Sequence, residues 1–264
     1  MNKVIRAEFG RTINAGLIIA IAGIIFSICF DSFNDLIAGL RNGQGYVGYF
    51  FSNAAFGGMC THYMLPVFTA LPFSVSLCQE RNNKAVSYIV SREGKNRYIF
   101  AKFIVSAISG GFVAACGTVL LFLMLAMRFP IAGDEFEGAV VSDYFHEWSA
   151  VYYPQLYILT LSILAFCRGV IWSSLALCVS LYTSDFMVVF LSPFLGSYVL
   201  VRIFQIIRVP DMVRPDMILI GQVVIKSSGL TLIIAIAISL TIVTLIGAFF
   251  VGKMKEGLKS GTIY

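Results

Sequence analysis

The side chains best equipped for interaction chemistry lie in one run, CQERNNKAVSYIVSREGKNRYIFAK, from Cys78 to Lys102. Glu80 and Arg81 open it, Lys84, Arg92, Lys95 and Arg97 follow, and Tyr88, Ile89 and Val90 stand among them. An apolar patch with a basic rim is what docking onto another protein requires. The plainer alternative is the Lys and Arg excess that cytoplasmic loops of membrane proteins carry. Arg168, in AFCRGVIW, is a cation inside an apolar stretch. At that depth a charge must face protein or water, so it either pairs structurally or lines a pathway.

Other chemistry is thin. His62 and His146 are the two histidines, and each is read as a hydrogen-bonded structural or interfacial residue. Cys29, Cys60, Cys78, Cys116, Cys167 and Cys178 are scattered, with no C-x-x-C pair, which fits small apolar packing groups better than a metal or redox centre. The chain has no G-x-x-x-x-G-K-[ST], H-E-x-x-H or G-x-S-x-G motif, so it lacks those devices for binding nucleotide phosphates, zinc or an acyl substrate. Nearly all Asp and Glu fall between apolar stretches, which leaves a proton relay without its carboxylates. The expectation is a chain with no catalytic residue, metal or cofactor of its own, and no nucleic-acid partner.

The elements that carry these residues are apolar helices. Of 264 residues 58% are hydrophobic and 12% charged, with mean hydropathy +0.86, against about 25% charged in a soluble domain. A span of hydrocarbon needs about 20 apolar residues in a helix, the only single-segment structure that pairs its whole backbone internally. The sequence predicts an all-α membrane protein, one domain over 1–264, with spans about 15–30, 59–78, 99–126, 154–181, 186–204 and 228–251. Residues 1–14 place Val4, Ile5 and Phe9 at helical spacing, as in a helix lying on the membrane surface, or else form a polar leader. The first span is read as retained, not as a cleaved signal. Glycines crowd 31–58, predicting an irregular connection. Pro66 and Pro72 kink span two, for structure alone or to line a pathway. Gly110, Gly111, Ala114, Ala115 and Gly117 give span three a face for close packing. Lys102 is expected to snorkel to the interface. Pro210 and Pro215 break the segment after span five into short interfacial helices.

With six spans and a cytoplasmic N-terminus, residues 1–14, 79–98, 182–185 and the C-terminal tail share the inner side. About twelve of the nineteen Lys and Arg then lie inside, as the positive-inside rule requires. The acidic 128–153 loop is outside, where Arg202, Arg208, Arg214 and Lys226 can pair with it or with lipid phosphates.

The 79–102 run resembles the first cytoplasmic loop of permease subunits of type-2 ABC exporters. The resemblance rests on Glu80, the apolar stretch Ala85 to Val90, Ser91-Arg92, Asn96-Arg97-Tyr98 and Ala101-Lys102, with Met1, Glu8 and Phe9 matching the opening of such chains. It implies an N-terminal interfacial helix, six transmembrane helices and short re-entrant helices between spans five and six. It also implies a coupling helix seated in a separate ABC ATPase subunit that binds ATP and Mg. On this reading Glu80, Arg81, Lys84, Tyr88, Arg92, Lys95 and Arg97 are the ATPase-coupling residues. The permease would act as a dimer or beside a homologous permease in the inner (plasma) membrane, with both termini cytoplasmic and spans one, two and five lining the pathway. Pro66, Pro72 and Arg168 are the pathway candidates. The expected cargo is a peptide or other amphipathic antimicrobial. The alternatives are an ATPase-independent immunity or binding protein, or an ion-coupled carrier, which would want inverted repeats and intramembrane acids.

Overall fold

The computed structural model describes residues 2–42, 47, 50, 58–130, 153–223 and 225–260. The regular elements described are all helical. They are α1 (Asn2–Thr12), α2 (Ala15–Asp31), α3 (Phe33–Asn42), α4 (Met59–Ala70), α5 (Ser76–Asn82), α6 (Val86–Glu93), α7 (Lys95–Ala126), α8 (Pro154–Val179), α9 (Phe186–Ile207), a 3₁₀ turn (Asp211–Val213), α10 (Pro215–Ile220) and α11 (Ser228–Ser260). Four of these helices, α7, α8, α9 and α11, are each long and apolar enough to cross a membrane, and α1 with α2, bent by 56°, can form a fifth crossing. This is a helical membrane protein. The acidic 131–152 segment, with His146, and most of the glycine-rich 43–57 segment lie outside the described residues.

The expected second span is broken. α4 has 12 residues, about 18 Å of helix, less than the hydrocarbon thickness. Turns at 71–75 containing Pro72 follow it, and α5 then resumes. Antiparallel α2 sets the distance the chain covers here. At one end of α2 the Asp31 carboxylate accepts from the backbone N–H groups of Cys60 (2.9 Å) and Thr61 (2.6 Å), capping α4 from a neighbouring helix. At the other end Asn14 caps α2 itself by accepting from Leu17 N–H, and its amide reaches the Pro72 carbonyl at 3.5 Å. Residues 60–72 therefore run the whole length of 17-residue α2.

The centre of the bundle is α7 against α8, packed backbone to backbone. An added Cβ on Gly169 would stand 2.5 Å from the Gly110 carbonyl oxygen and 2.9 Å from Gly111 Cα. One on Gly117 would stand 2.8 Å from Ile24 Cγ2 of α2. The small-residue face expected on span three thus serves two helices. In contrast α9 and α11 turn large apolar side chains outward, among them Leu191, Leu195, Val199, Ile203, Ile233, Leu240, Leu245 and Phe249. Both long helices, α7 with 32 residues and α11 with 33, reach about 50 Å and overrun a ~30 Å core.

They overrun it at a common end. There Leu77, Val86, Val90, Tyr98, Ile99, Leu177, Leu181, Phe250, Met254 and Leu258 form one apolar cluster. Arg81 donates to the Ser180 (2.9 Å) and Leu181 (3.2 Å) carbonyls, and Asn82 to the Ser184 carbonyl (3.1 Å). The segments expected to share one side of the membrane are thus gathered at one end of the bundle.

Because the neighbour at the α7–α8 crossing is backbone, Gly169→Ala must push the two helices apart. We expect a loss of about 1–3 kcal/mol, read as a lower thermal-unfolding midpoint of the detergent-solubilised protein. Gly252→Ala, where an added Cβ meets nothing within 4 Å, should leave the midpoint unchanged.

Candidate functional site

The overrunning end encloses a cluster of four charges. Lys102, fully buried on α7, donates from Nζ to Glu80 Oε1 (2.7 Å), Glu8 Oε2 (3.1 Å) and Ser76 Oγ (3.2 Å), and lies 4.7 Å from the centre of the Phe73 ring. Glu80, 2% exposed, also accepts from Arg11 and from the Tyr98 hydroxyl at 2.5 Å. Arg11 reaches Glu8 at 3.4 Å. Two carboxylates and two cations cancel, and the hydroxyls of Tyr98 and Ser76 take up further hydrogen-bonding capacity, which burial of charge demands. Burial pushes the Glu80 carboxyl up, but Lys102, Tyr98 and Arg11 outweigh it and hold Glu80 below the ordinary carboxylate range.

Lys102 therefore does not snorkel; its ammonium is held inside by two carboxylates, and leaving would strand both. The cluster ties α1, α5 and α7 together. The buried face of α1 is Val4, Glu8 and Thr12, four residues apart, while Ile5 and Phe9 are only half-buried. From the sequence, Glu8 and Tyr98 stood only as matched motif positions, and neither they nor Arg11 had a place in the site. Their signal was a carboxylate in register with Val4 and a Lys set well inside an apolar helix.

α6 rests on this foundation. Val86 and Val90 point into the apolar cluster, whereas Tyr88 is 69% exposed and Lys84, Arg92, Lys95 and Arg97 are exposed around it. The apolar patch is narrower than the sequence suggested, because Val90 turns inward and Ile89 is half-covered. Of the seven coupling candidates, Lys84, Tyr88, Arg92, Lys95 and Arg97 share the outer surface. Arg81 is half-buried on the α8–α9 turn, and Glu80 lies inside. Lys84 adopts φ +53° and Gly94 φ +85°, so both ends of α6 are sharp reversals. At φ +85°, ψ +137° Gly94 occupies backbone space that L side chains avoid.

The pathway candidates separate. Pro72 sits in the turns beside Asn14, near the charged end. Pro66 and Arg168 meet on the opposite half. Proline has no N–H, so Pro66 leaves the carbonyl four residues back, that of His62, without its helical donor. Arg168 Nη2 from α8 approaches that carbonyl at 3.5 Å. This is the one hydrogen bond Arg168 makes among the described residues, and no described carboxylate stands within 4.0 Å of it. Arg168, 7% exposed, borders a cavity of about 210 Å³ shared with His62, Tyr63, Gln205, Arg214 and Asp216. It also borders an apolar recess of about 130 Å³ that contains Trp172 and Leu200. Two of the four basic side chains expected on the outer side find partners of their own. Arg214 pairs with Asp216 (2.7 Å) and Asp211 (3.1 Å), and Arg202 with Gln205 (3.1 Å) over the Tyr198 ring. Arg208 and Lys226 are exposed.

Compared with family models, curated proteins and solved structures, the chain matches none.

Removing Lys102 leaves two buried carboxylates facing each other. Lys102→Met should cost about 3–5 kcal/mol in a denaturation titration, and Glu8→Gln in the same chain should restore part of the loss. Glu80 has a depressed folded pKa, so its contribution is complete above the ordinary carboxylate pKa and is lost as pH falls through the lower folded value. Acid titration should therefore destabilise the wild type in that range, and Glu80→Gln should flatten the dependence.

Proposed function

We propose that this chain is the permease subunit of an ATP-driven ABC exporter, with α6 as the helix that docks into a separate ATPase subunit. The observation that carries the reading is the mounting of α6. It offers Tyr88 within a basic rim while its inner face and its Glu80 root are fastened to α1, α7, α8 and α11. A projection meant to transmit force must be stiff at its base and adhesive at its tip. The carboxylate Glu80 serves the base, and Lys84, Arg92, Lys95 and Arg97 serve the tip.

The finer architecture belongs to this proposal: six crossings, the broken second one running over 59–78 through α4, the turns at 71–75 and the first residues of α5. Both termini and α6 lie on the cytoplasmic side of the inner membrane, α1 lies in the interface and α10 is re-entrant. The gathering of α1, α6, the α8–α9 turn and the end of α11 supports an even number of crossings. ATP and Mg are bound by the partner subunit. A second permease copy or a homologous permease faces the apolar flank of α9 and α11, and membrane lipid covers the remainder. The pathway runs past α2, α4 and α9, with Pro66 and Arg168 on its wall and Pro72 at its inner turn. The cargo is a peptide or other amphipathic antimicrobial. An ATPase-independent binding or immunity protein is the second reading, and the Arg168 cavity favours it equally.

The chain alone should hydrolyse no ATP, and an ABC ATPase should copurify with it. Arg92→Glu with Tyr88→Ala should lower that copurification, or the cargo-stimulated ATP turnover, about tenfold or more, while the thermal midpoint stays unchanged. A partner held equally well by this variant would reject the docking role of α6. Copurification of no ATPase would favour the second reading.

A further inference from the structure

Arg168 is the one buried cation that no described carboxylate contacts; Asp216, which lines the same cavities, acts on it only from beyond ion-pair distance. Lys102 has Glu8 and Glu80. Arg214 has Asp211 and Asp216, and the Asp216 carboxylate takes up both Arg214 Nε and Nη2 (3.3 and 2.7 Å). Arg168 has a single carbonyl at 3.5 Å. Taking an ion out of water costs several kcal/mol unless it is paired, and a guanidinium presents a planar fork of donors matched to a carboxylate or phosphate.

The two cavities that Arg168 borders differ in character. The larger one carries the polar groups His62, Tyr63, Gln205 and Gln222 and the Arg214–Asp216 ion pair, whose carboxylate is taken up by Arg214. The smaller one is walled mainly by Ile171, Trp172, Leu175, Leu200, Ile242 and Ile246 of α8, α9 and α11, with His62 and Asp216 at its polar edge. A charged fork between a polar chamber and an apolar slot fits a molecule with an anionic head and an apolar chain. Val199, next in sequence to Leu200 on α9, and Leu245, next to Ile246 on α11, face outward, so the two helices that wall the slot also present apolar side chains to the hydrocarbon layer.

We propose that Arg168 binds the carboxylate or phosphate head of an anionic amphiphile whose chain lies along Trp172. That the amphiphile is cargo rests on the permease reading; that it binds does not, so the two can fail separately. Trp148 and Trp172 are the two tryptophans, and Trp148→Phe leaves Trp172 as a local reporter. The full chain is placed in zwitterionic lipid nanodiscs and titrated with dibromostearate, whose bromines quench indole fluorescence, or with its uncharged methyl ester. A second arm replaces part of the lipid by brominated phosphatidylglycerol, which distinguishes a bilayer lipid head from a single-chain amphiphile.

The acid should quench Trp172 at concentrations at least about tenfold below the ester, and Arg168→Met should erase that preference, whereas Arg168→Lys should keep part of it. Should Arg168→Met fold poorly, Leu200→Phe fills the slot and should abolish quenching by the acid with Arg168 intact. Arg168-dependent quenching by brominated phosphatidylglycerol alone would assign the site to a resident lipid and uphold the anion site. Equal quenching by acid and ester, or a preference that survives Arg168→Met, would overturn it.

Discussion

The ammonium of Lys102 cannot be in lipid and cannot reach water, and much of this architecture follows from how it is held. Two carboxylates from different helices, Glu8 of α1 and Glu80 of α5, converge on it, with Arg11 restoring neutrality and Tyr98 completing the Glu80 shell. Because the cost of breaking such a cluster exceeds the gain of making it, its value is in specification. α1 cannot slide along α7, and α5 cannot swing out, without exposing an unpaired buried charge. α6 inherits its position from this, since the chain enters it at Val86, six residues after Glu80, and leaves it for the helix that carries Lys102.

The opposite half of the bundle is organised by omission. Pro66 withholds a donor, which leaves the His62 carbonyl to Arg168 at only 3.5 Å. Gly169, next to Arg168, has no side chain, so α8 lies directly on Gly110 of α7. The guanidinium is thereby placed beside a cavity by the backbone-to-backbone α7–α8 crossing. One end is knit together by buried ion pairs; the other sets Arg168, contacted by no described carboxylate, at the edge of a cavity.

Much of this was legible in the residues. Hydropathy located the long helices because a lipid-spanning segment must be continuous and apolar: the expected 154–181 stretch and α8 (Pro154–Val179) differ by two residues at one end. The glycines of span three announced the α7–α8 contact for the same kind of reason, since small side chains at helical spacing have few other uses. The break at 71–75 was marked by Pro72, but its consequence was not, because proline alone does not say whether a helix bends or stops. The charge cluster was hidden more deeply. Glu8, Glu80 and Lys102 are 72 and 22 residues apart in the chain, and nothing local pairs them; charged residues near helix ends are ordinarily solvated, so the sequence favoured snorkelling for Lys102. The inward turn of Val90 was likewise set by distant partners, among them Phe250 of α11, 160 residues later.

The most direct test of the account is amide hydrogen exchange in Glu80→Gln, which removes one charge from the cluster and keeps the shape of the side chain. If the cluster mounts α6, the amides of Val86–Glu93 should exchange about tenfold faster or more while those in the α7–α8 crossing keep their wild-type rates. Unchanged exchange across α6 would contradict the account, since the helix would then owe its position to the apolar cluster alone.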